Sequence, residues 1–262
     1  MFMHKHAGLT LLLGSLLAAC TSAPKKPVEP NLATAVSSTN AAENTEPDLE
    51  KLAKERAAQG GGVKKEDIKE TTKAATDTSQ EPELPPVSEE QKKLAAPVLA
   101  DYQKALELMK ARQFDQAYAL FDEIQSKTPM LLGPVLNQAL IRIQQKNFKE
   151  AELILQKAGG INEKNPYIYN LQGYILRQQG KFADARSAYE KALAISPKYA
   201  KAHFNLGVLA DLYLQDLPLA LQHYEAYQGL QGTPDVTVGK WIVDLQKRTG
   251  VYKAPAKPVK TE

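Results

Sequence analysis

The sequence predicts an all-α fold, a solenoid of about four helical hairpins closed by a capping helix, after an unstructured N-terminal stretch. Three observations predict it. Phe2 is the only aromatic residue before Tyr102, and all 11 Tyr and the single Trp lie from Tyr102 onward. A core needs bulky apolar groups, so the first hundred residues cannot build much of one. From Tyr102 onward, small and large side chains recur in step at intervals of 34 or 35 residues. Helix start and stop signals fall between those columns.

Residues 1–19 have the order of an export signal. Met1 to His6 is short and cationic, Leu9 to Leu17 is apolar, and Ala18 and Ala19 are small. The apolar run is too short to span a bilayer, which takes about 20 residues. Leu17-Ala18-Ala19-Cys20 resembles the bacterial lipobox. The resemblance implies cleavage before Cys20, a diacylated Cys20 and acylation of its amine. Thr21 stands where Asp tends to retain such proteins in the inner membrane, so the resemblance favours an outer-membrane anchor facing the periplasm. Each buried CH₂ contributes about 0.8 kcal/mol, so two or three chains anchor stably where one does not. Cys20 is the only Cys, which excludes an internal disulfide framework and a multi-cysteine metal site.

Residues 20–90 read as a lipidated cysteine followed by a disordered tether. Seven prolines fall between Pro24 and Pro86, and Gly60-Gly61-Gly62 breaks the middle. Such a composition buries too little apolar surface to offset ordering entropy. Asp48 to Ala58 suits a transient helix, and a short isolated helix is marginal. A flexible chain of this length spans about 45 Å r.m.s..

Residues 91–250 hold the repeats. One column of small residues runs Ala117, Ala151, Ala185, Ala220. A second runs Ala105, Ala139, Gly173, Gly207, and a column of large residues runs Phe121, Leu155, Tyr189, Tyr224. Small residues suit the closest approach of paired helices, and large ones fill the gaps between pairs. The third unit has the clearest punctuation. Asn165-Pro166 supplies an N-cap and a first-turn proline. Tyr169, Gly173 and Leu176 share one face. Gly180 ends that helix, and Ser196-Pro197 closes the next. The fourth unit carries one inserted residue, expected in Tyr213-Leu214-Gln215-Asp216. A last helix is expected from about Pro234 to Arg248, with Val238, Trp241, Ile242 and Leu245 as one stripe, capping the solenoid. Residues 251–262 read as a loose tail.

These columns resemble the tetratricopeptide repeat (TPR). Tyr169, Gly173, Ala185, Tyr189, Ala192 and Pro197 occupy family positions with suitable residues. Tyr227 stands where the family favours Ala, Glu163 where it favours Pro, and Asp101 at a large apolar position. Four units are counted over roughly 95–231, because terminal repeats diverge.

Charge and composition narrow the function. Residues 21–90 hold nine Lys/Arg against fourteen Asp/Glu, a balance of −5, and residues 91–250 hold twenty against fifteen, a balance of +5. No compact basic run with interleaved aromatics points to nucleic acid. His4 and His6 leave with the signal segment. His203 and His223 are expected as solvated or half-packed positions, not metal ligands. Asp115, Asp122 and Glu123 repeat solvated helix positions, and no acid/base pair, phosphate loop or nucleophile constellation stands out. The chain is therefore expected not to be an enzyme, and to need no cofactor beyond the lipid on Cys20.

The TPR resemblance implies a concave groove lined by first helices. Mapped by the family pattern, that face includes Tyr102, Leu106, Leu136, Ile143 and Val208, with Tyr167, Asn170, Tyr174, Arg177 and Phe204 as the chosen partner-binding residues. Bulky side chains with polar ends are frequent binding anchors. The resemblance implies a membrane-anchored scaffold holding a protein partner in envelope assembly, in pilus, secretion, cell-wall or energy-coupling machinery. Two other readings stand beside it: an accessory to a cell-wall hydrolase, and a carrier of a small ligand such as a lipid or muropeptide.

Overall fold

Each 34-residue unit folds into a hairpin because its apolar columns repeat at helical spacing and its turn forces the chain to reverse. A computed structural model describes residues 49–58 and 87–252. The expected signal segment, Cys20, most of the tether and residues 253–262 lie outside the described residues. An isolated helix, α1, spans Leu49–Ala58. The solenoid begins at α2, Glu89–Ala95, whose N-cap Ser88 forms a capping box with Gln91. A single 3₁₀ turn, Ala96–Val98, leads into the first hairpin, α3 (Leu99–Lys110) and α4 (Phe114–Lys127). The second hairpin is α5 (Leu132–Gln144) and α6 (Phe148–Ile161). The third is α7 (Pro166–Gln178) and α8 (Phe182–Ile195). In the fourth, α9 (Ala200–Leu209) runs into a π-helical turn, Ala210–Leu214, before α10 (Leu217–Leu230). Helix α11 (Val236–Arg248) closes the stack.

Every helix from α3 to α11 packs on its sequence neighbour, as an antiparallel solenoid requires. First helices also touch one another, α5 with α7 and α7 with α9, and form a continuous row.

The columns meet as the size argument requires. Ala105, Ala139, Ala117, Ala151, Ala185 and Ala220 are fully buried, and so are Phe121, Leu155, Tyr189 and Tyr224. A methyl group added at Gly173 would lie 2.6 Å from the Tyr189 ring, and one at Gly207 would lie 2.7 Å from the Tyr224 ring. Where the second helix offers a tyrosine, its partner is therefore glycine.

The turns also repeat. Arg112, Lys146, Gly180 and Gln215 all take positive φ, between 56° and 75°. In the first three, an amide closes back over five positions: Gln113 to Leu108, Asn147 to Arg142, Lys181 to Leu176. In the fourth, Asp216 bonds Ala210, six positions back. The inserted residue is thus absorbed as the π-helical turn, the usual outcome when one residue is added inside a helix.

At the C-terminal end, Asp235 caps α11 by accepting from the Thr237 and Val238 amides. Val238, Trp241 and Leu245 are buried there with Ile242 partly buried, in a cluster with Phe204 and Tyr224. This is the expected cap, starting two residues later than Pro234.

Within the stretch 20–90, the segment suited to a transient helix is helical over Leu49–Ala58, with Leu52, Ala53 and Arg56 buried. Local reasoning judged this decamer by its own marginal helix stability. The stabilisation comes from the solenoid, whose apolar cluster receives Leu52 and Ala53 and whose carboxylates receive Arg56.

Candidate partner-binding face

The row of first helices is the surface on which the sequence placed the binding residues, and packing has consumed most of it. Tyr167, Asn170, Arg177 and Phe204 are buried, whereas Tyr174 is half-buried. Tyr102, Leu106, Leu136, Ile143 and Val208 are buried as well. Helical phase puts these residues on the first helices but takes no account of the helices packed beside them. Helix α7 is pressed by α5 on one side and α9 on the other. As they stand, Tyr167, Asn170, Arg177 and Phe204 hold the row together.

A polar ladder runs across the third and fourth units. The Asn205 amide donates to Asn170 Oδ1 at 2.9 Å, and the Asn170 amide donates to the Tyr199 hydroxyl at 3.3 Å. Tyr199 meets Tyr167 edge-on with centroids 5.4 Å apart. In the units before, the Asn137 amide donates to the Tyr102 hydroxyl at 2.8 Å. Each contact is buried, where a satisfied hydrogen bond specifies alignment and an unsatisfied group is costly.

Arg177 lies between hairpins, 5.3 Å from the Tyr174 ring centroid and 5.9 Å from that of Tyr213. Its Nε and Nη1 make no hydrogen bond within the described residues. Aromatic faces thus carry much of the support for this guanidinium. Burial raises the pKa of the neighbouring Tyr189 phenol, with Arg177 opposing the shift.

The most developed site was not legible in the sequence. Helix α1 sits across the π-helical turn and α11, at the end of the first-helix row. Arg56 Nε donates to Asp211 Oδ2 at 2.7 Å, and its Nη2 donates to Asp244 Oδ2 at 2.6 Å. Arg56 and Asp211 side chains are each 2% exposed. Burial works against the Arg56 charge, and Asp211 and Asp244 more than offset it, so its pKa lies above the ordinary arginine value. The guanidinium also stands 6.0 Å from the Trp241 ring centroid. Leu52 and Ala53 share one buried cluster with Phe204, Val208, Leu212, Trp241 and Leu245. The Tyr213 hydroxyl donates to Glu55 at 3.4 Å. No motif marks these partners, because they lie 155 and 188 positions apart along the chain.

His203 is half-packed as expected, whereas His223 is buried and the two rings pair. His203 Nδ1 and His223 Nδ1 are 2.9 Å apart, and His203 Nε2 lies 2.9 Å from the Pro197 carbonyl. The carbonyl requires a proton on His203 Nε2, so in the neutral pair His223 donates from Nδ1 to His203. Burial, with His203 adding to it, lowers the His223 pKa to about 4. Among the described residues no group of three or more His, Cys, Asp or Glu gathers in metal-binding geometry. No described helix is long and apolar enough to cross a membrane.

The repeat geometry has relatives. The TPR repeat family matches residues 173–215. The structure of pilF from Pseudomonas aeruginosa superposes with a TM-score of 0.54 at 18% identity, over 60% of this chain and 71% of that one. This is a TPR-type solenoid. The Cut9–Hcn1 hetero-tetramer of the APC/C superposes with a TM-score of 0.52 at 18% identity, over 61% of this chain and 32% of that one. Human cilia- and flagella-associated protein 70 is 30% identical over 78 residues, 30% of this chain, and the match spans 7% of that relative's length. These likenesses establish the fold. TPR folds generally serve as non-catalytic scaffolds that bind other proteins.

Proposed function

We propose that this chain is a lipid-anchored scaffold of the bacterial envelope, held by Cys20 to the outer membrane and facing the periplasm. It binds a segment of a protein partner along its first-helix row and concentrates that partner near the membrane. One observation carries the binding half of this reading: the row already accepts an amphipathic helix, α1, whose Leu52 and Ala53 enter the same cluster as Phe204 and Val208. A surface that takes one helix has the shape and apolar chemistry to take another. Tyr174, half-buried beside Arg177, is the accessible contact on the third unit. The lipobox-like Leu17-Ala18-Ala19-Cys20 motivates the anchor. Pilus, secretion, cell-wall and energy-coupling machineries are the partner classes this placement suits.

Two experiments test the two halves. Cys20→Ser should abolish palmitate labelling and move the protein from the membrane fraction to the soluble one. Unchanged fractionation would sink the anchor. A photo-crosslinker at position 174, introduced in cells, should capture defined envelope proteins identified by mass spectrometry. Absence of any captured protein from a folded, exported chain would sink the scaffold.

A further inference from the structure

We infer that the slot between the π-helical turn and α11 recognises an arginine-bearing amphipathic helix of a partner protein, and that α1 is the chain's own occupant of that slot, displaced when the partner binds. This deepens the scaffold reading and rests on it.

The slot dictates its occupant's chemistry. Asp211 and Asp244 come from different elements and converge on one guanidinium, at 2.7 and 2.6 Å. A rigid planar fork can meet two carboxylates at once, whereas a lysine ammonium is a point charge on a flexible stem. Asp211 is 2% exposed in this arrangement, and a buried carboxylate without a cation is costly. The site therefore selects arginine. Its apolar floor, Phe204, Val208 and Trp241, selects a leucine one turn before that arginine, as Leu52 stands before Arg56.

The slot exists only in the fourth unit. Asp211 falls 34 residues after Arg177, in the column that holds Met109 and Ile143 in the earlier units. The π-helical turn that absorbs the inserted residue contains Asp211 itself. Such turns are frequent at functional sites.

Helix α1 has the features of a replaceable occupant. It is ten residues long, and an isolated helix of that length is marginal. Its other face, Lys51, Lys54, Ala57 and Ala58, is exposed. Among the described residues Arg56 Nη1 is buried without a hydrogen-bond partner. A helix that carries its own acceptor beside its arginine would fit the slot better. Residues 59–86 join α1 to the solenoid, so the covalent occupant competes at high effective concentration. Partner binding is then gated by how well the newcomer outcompetes it.

The test uses the full chain and a fluorescein-labelled peptide of residues 48–59, DLEKLAKERAAQ. Arg56→Glu sets a carboxylate against Asp211 and Asp244 and should empty the slot. The peptide should bind this variant at least tenfold more tightly than it binds the unaltered chain, by anisotropy. The single tryptophan, Trp241, should report both the emptying and the refilling by fluorescence. Replacing the peptide's arginine with lysine, or adding Asp211→Asn to the variant, should weaken binding at least tenfold. Leu52→Asp provides a second route to the empty slot, and circular dichroism melts check that both variants remain folded. Equal peptide binding by the variants and the unaltered chain overturns the inference, as does no binding to a folded variant. A concentration-dependent dimer of the unaltered chain, lost in Arg56→Glu, overturns it too, because α1 would then be exchanged between copies. Crosslinking from position 174 separates the two readings. Capture that increases in Arg56→Glu supports the slot, and capture that is unchanged overturns the slot while leaving the scaffold standing.

Discussion

A hydrogen is the only side chain that fits at Gly173, because the Tyr189 ring fills the space where a methyl group would go. Gly173→Ala would gain up to about 1 kcal/mol of helix propensity. It would also force a fully buried ring aside, an overpacking cost of ~1–3 kcal/mol. The expected balance is destabilisation, read as a drop of a few degrees in melting temperature at roughly 2–4 °C per kcal/mol. An unchanged or higher melting temperature would contradict the packing. The histidine pair gives a second prediction at this scale. The folded-state pKa of His223 is lowered from 6.5 to about 4, so the unfolded chain binds more protons between those values. The stability contribution is complete above pH 6.5 and is lost as pH falls towards about 4. His203 faces this ring, with Glu190 and Arg186 exerting smaller, opposed effects. Allowing for partial solvent screening, the loss is roughly 1–2 kcal/mol, and His223→Gln should flatten the denaturation midpoint across this range. The small and large columns were legible in the sequence because size complementarity recurs at a fixed period. The pairing of His203 with His223 was not, because each residue alone looks like an ordinary surface histidine.

At the scale of elements, α11 shows how far local pattern reaches. Val238, Trp241, Ile242 and Leu245 announce an apolar stripe, a property of neighbouring residues, so the helix was readable, while the structure puts its start at Val236 behind the Asp235 cap. Trp241→Ala would remove the largest fully buried side chain from the C-terminal cluster. The expected cost is about 3–5 kcal/mol. Because each hairpin of a solenoid leans only on its neighbours, the loss should be local. Hydrogen exchange should accelerate in α10 and α11 and remain slow in α5 and α6. Uniform acceleration would show a cooperative unit larger than the repeat. Helix α1 marks the opposite limit. Its own propensity is marginal and its partners are remote, so the residues that stabilise it lie outside any local window.

At the scale of the whole molecule, curvature and occupancy decide what the repeats offer to others. Crowding of the first helices buries Tyr167, Asn170, Arg177 and Phe204, and α1 covers the C-terminal end of their row. The sequence thus made legible which residues lie on the first helices, whereas their burial followed from packing between distant segments.

Periodicity, turn chemistry and the shift from polar to aromatic composition suffice to specify the hairpins, their number and the capping helix. The helices and turns are set by residues within one or two turns of each other, and their number by the 34-residue recurrence of that pattern. Which side chains stay accessible, where the extra residue is absorbed, and which carboxylates receive Arg56 emerge only when distant segments pack. The buried contacts of the first helices join residues 29 to 35 positions apart and those of Arg56 join residues 155 and 188 apart, so no local pattern carries that information.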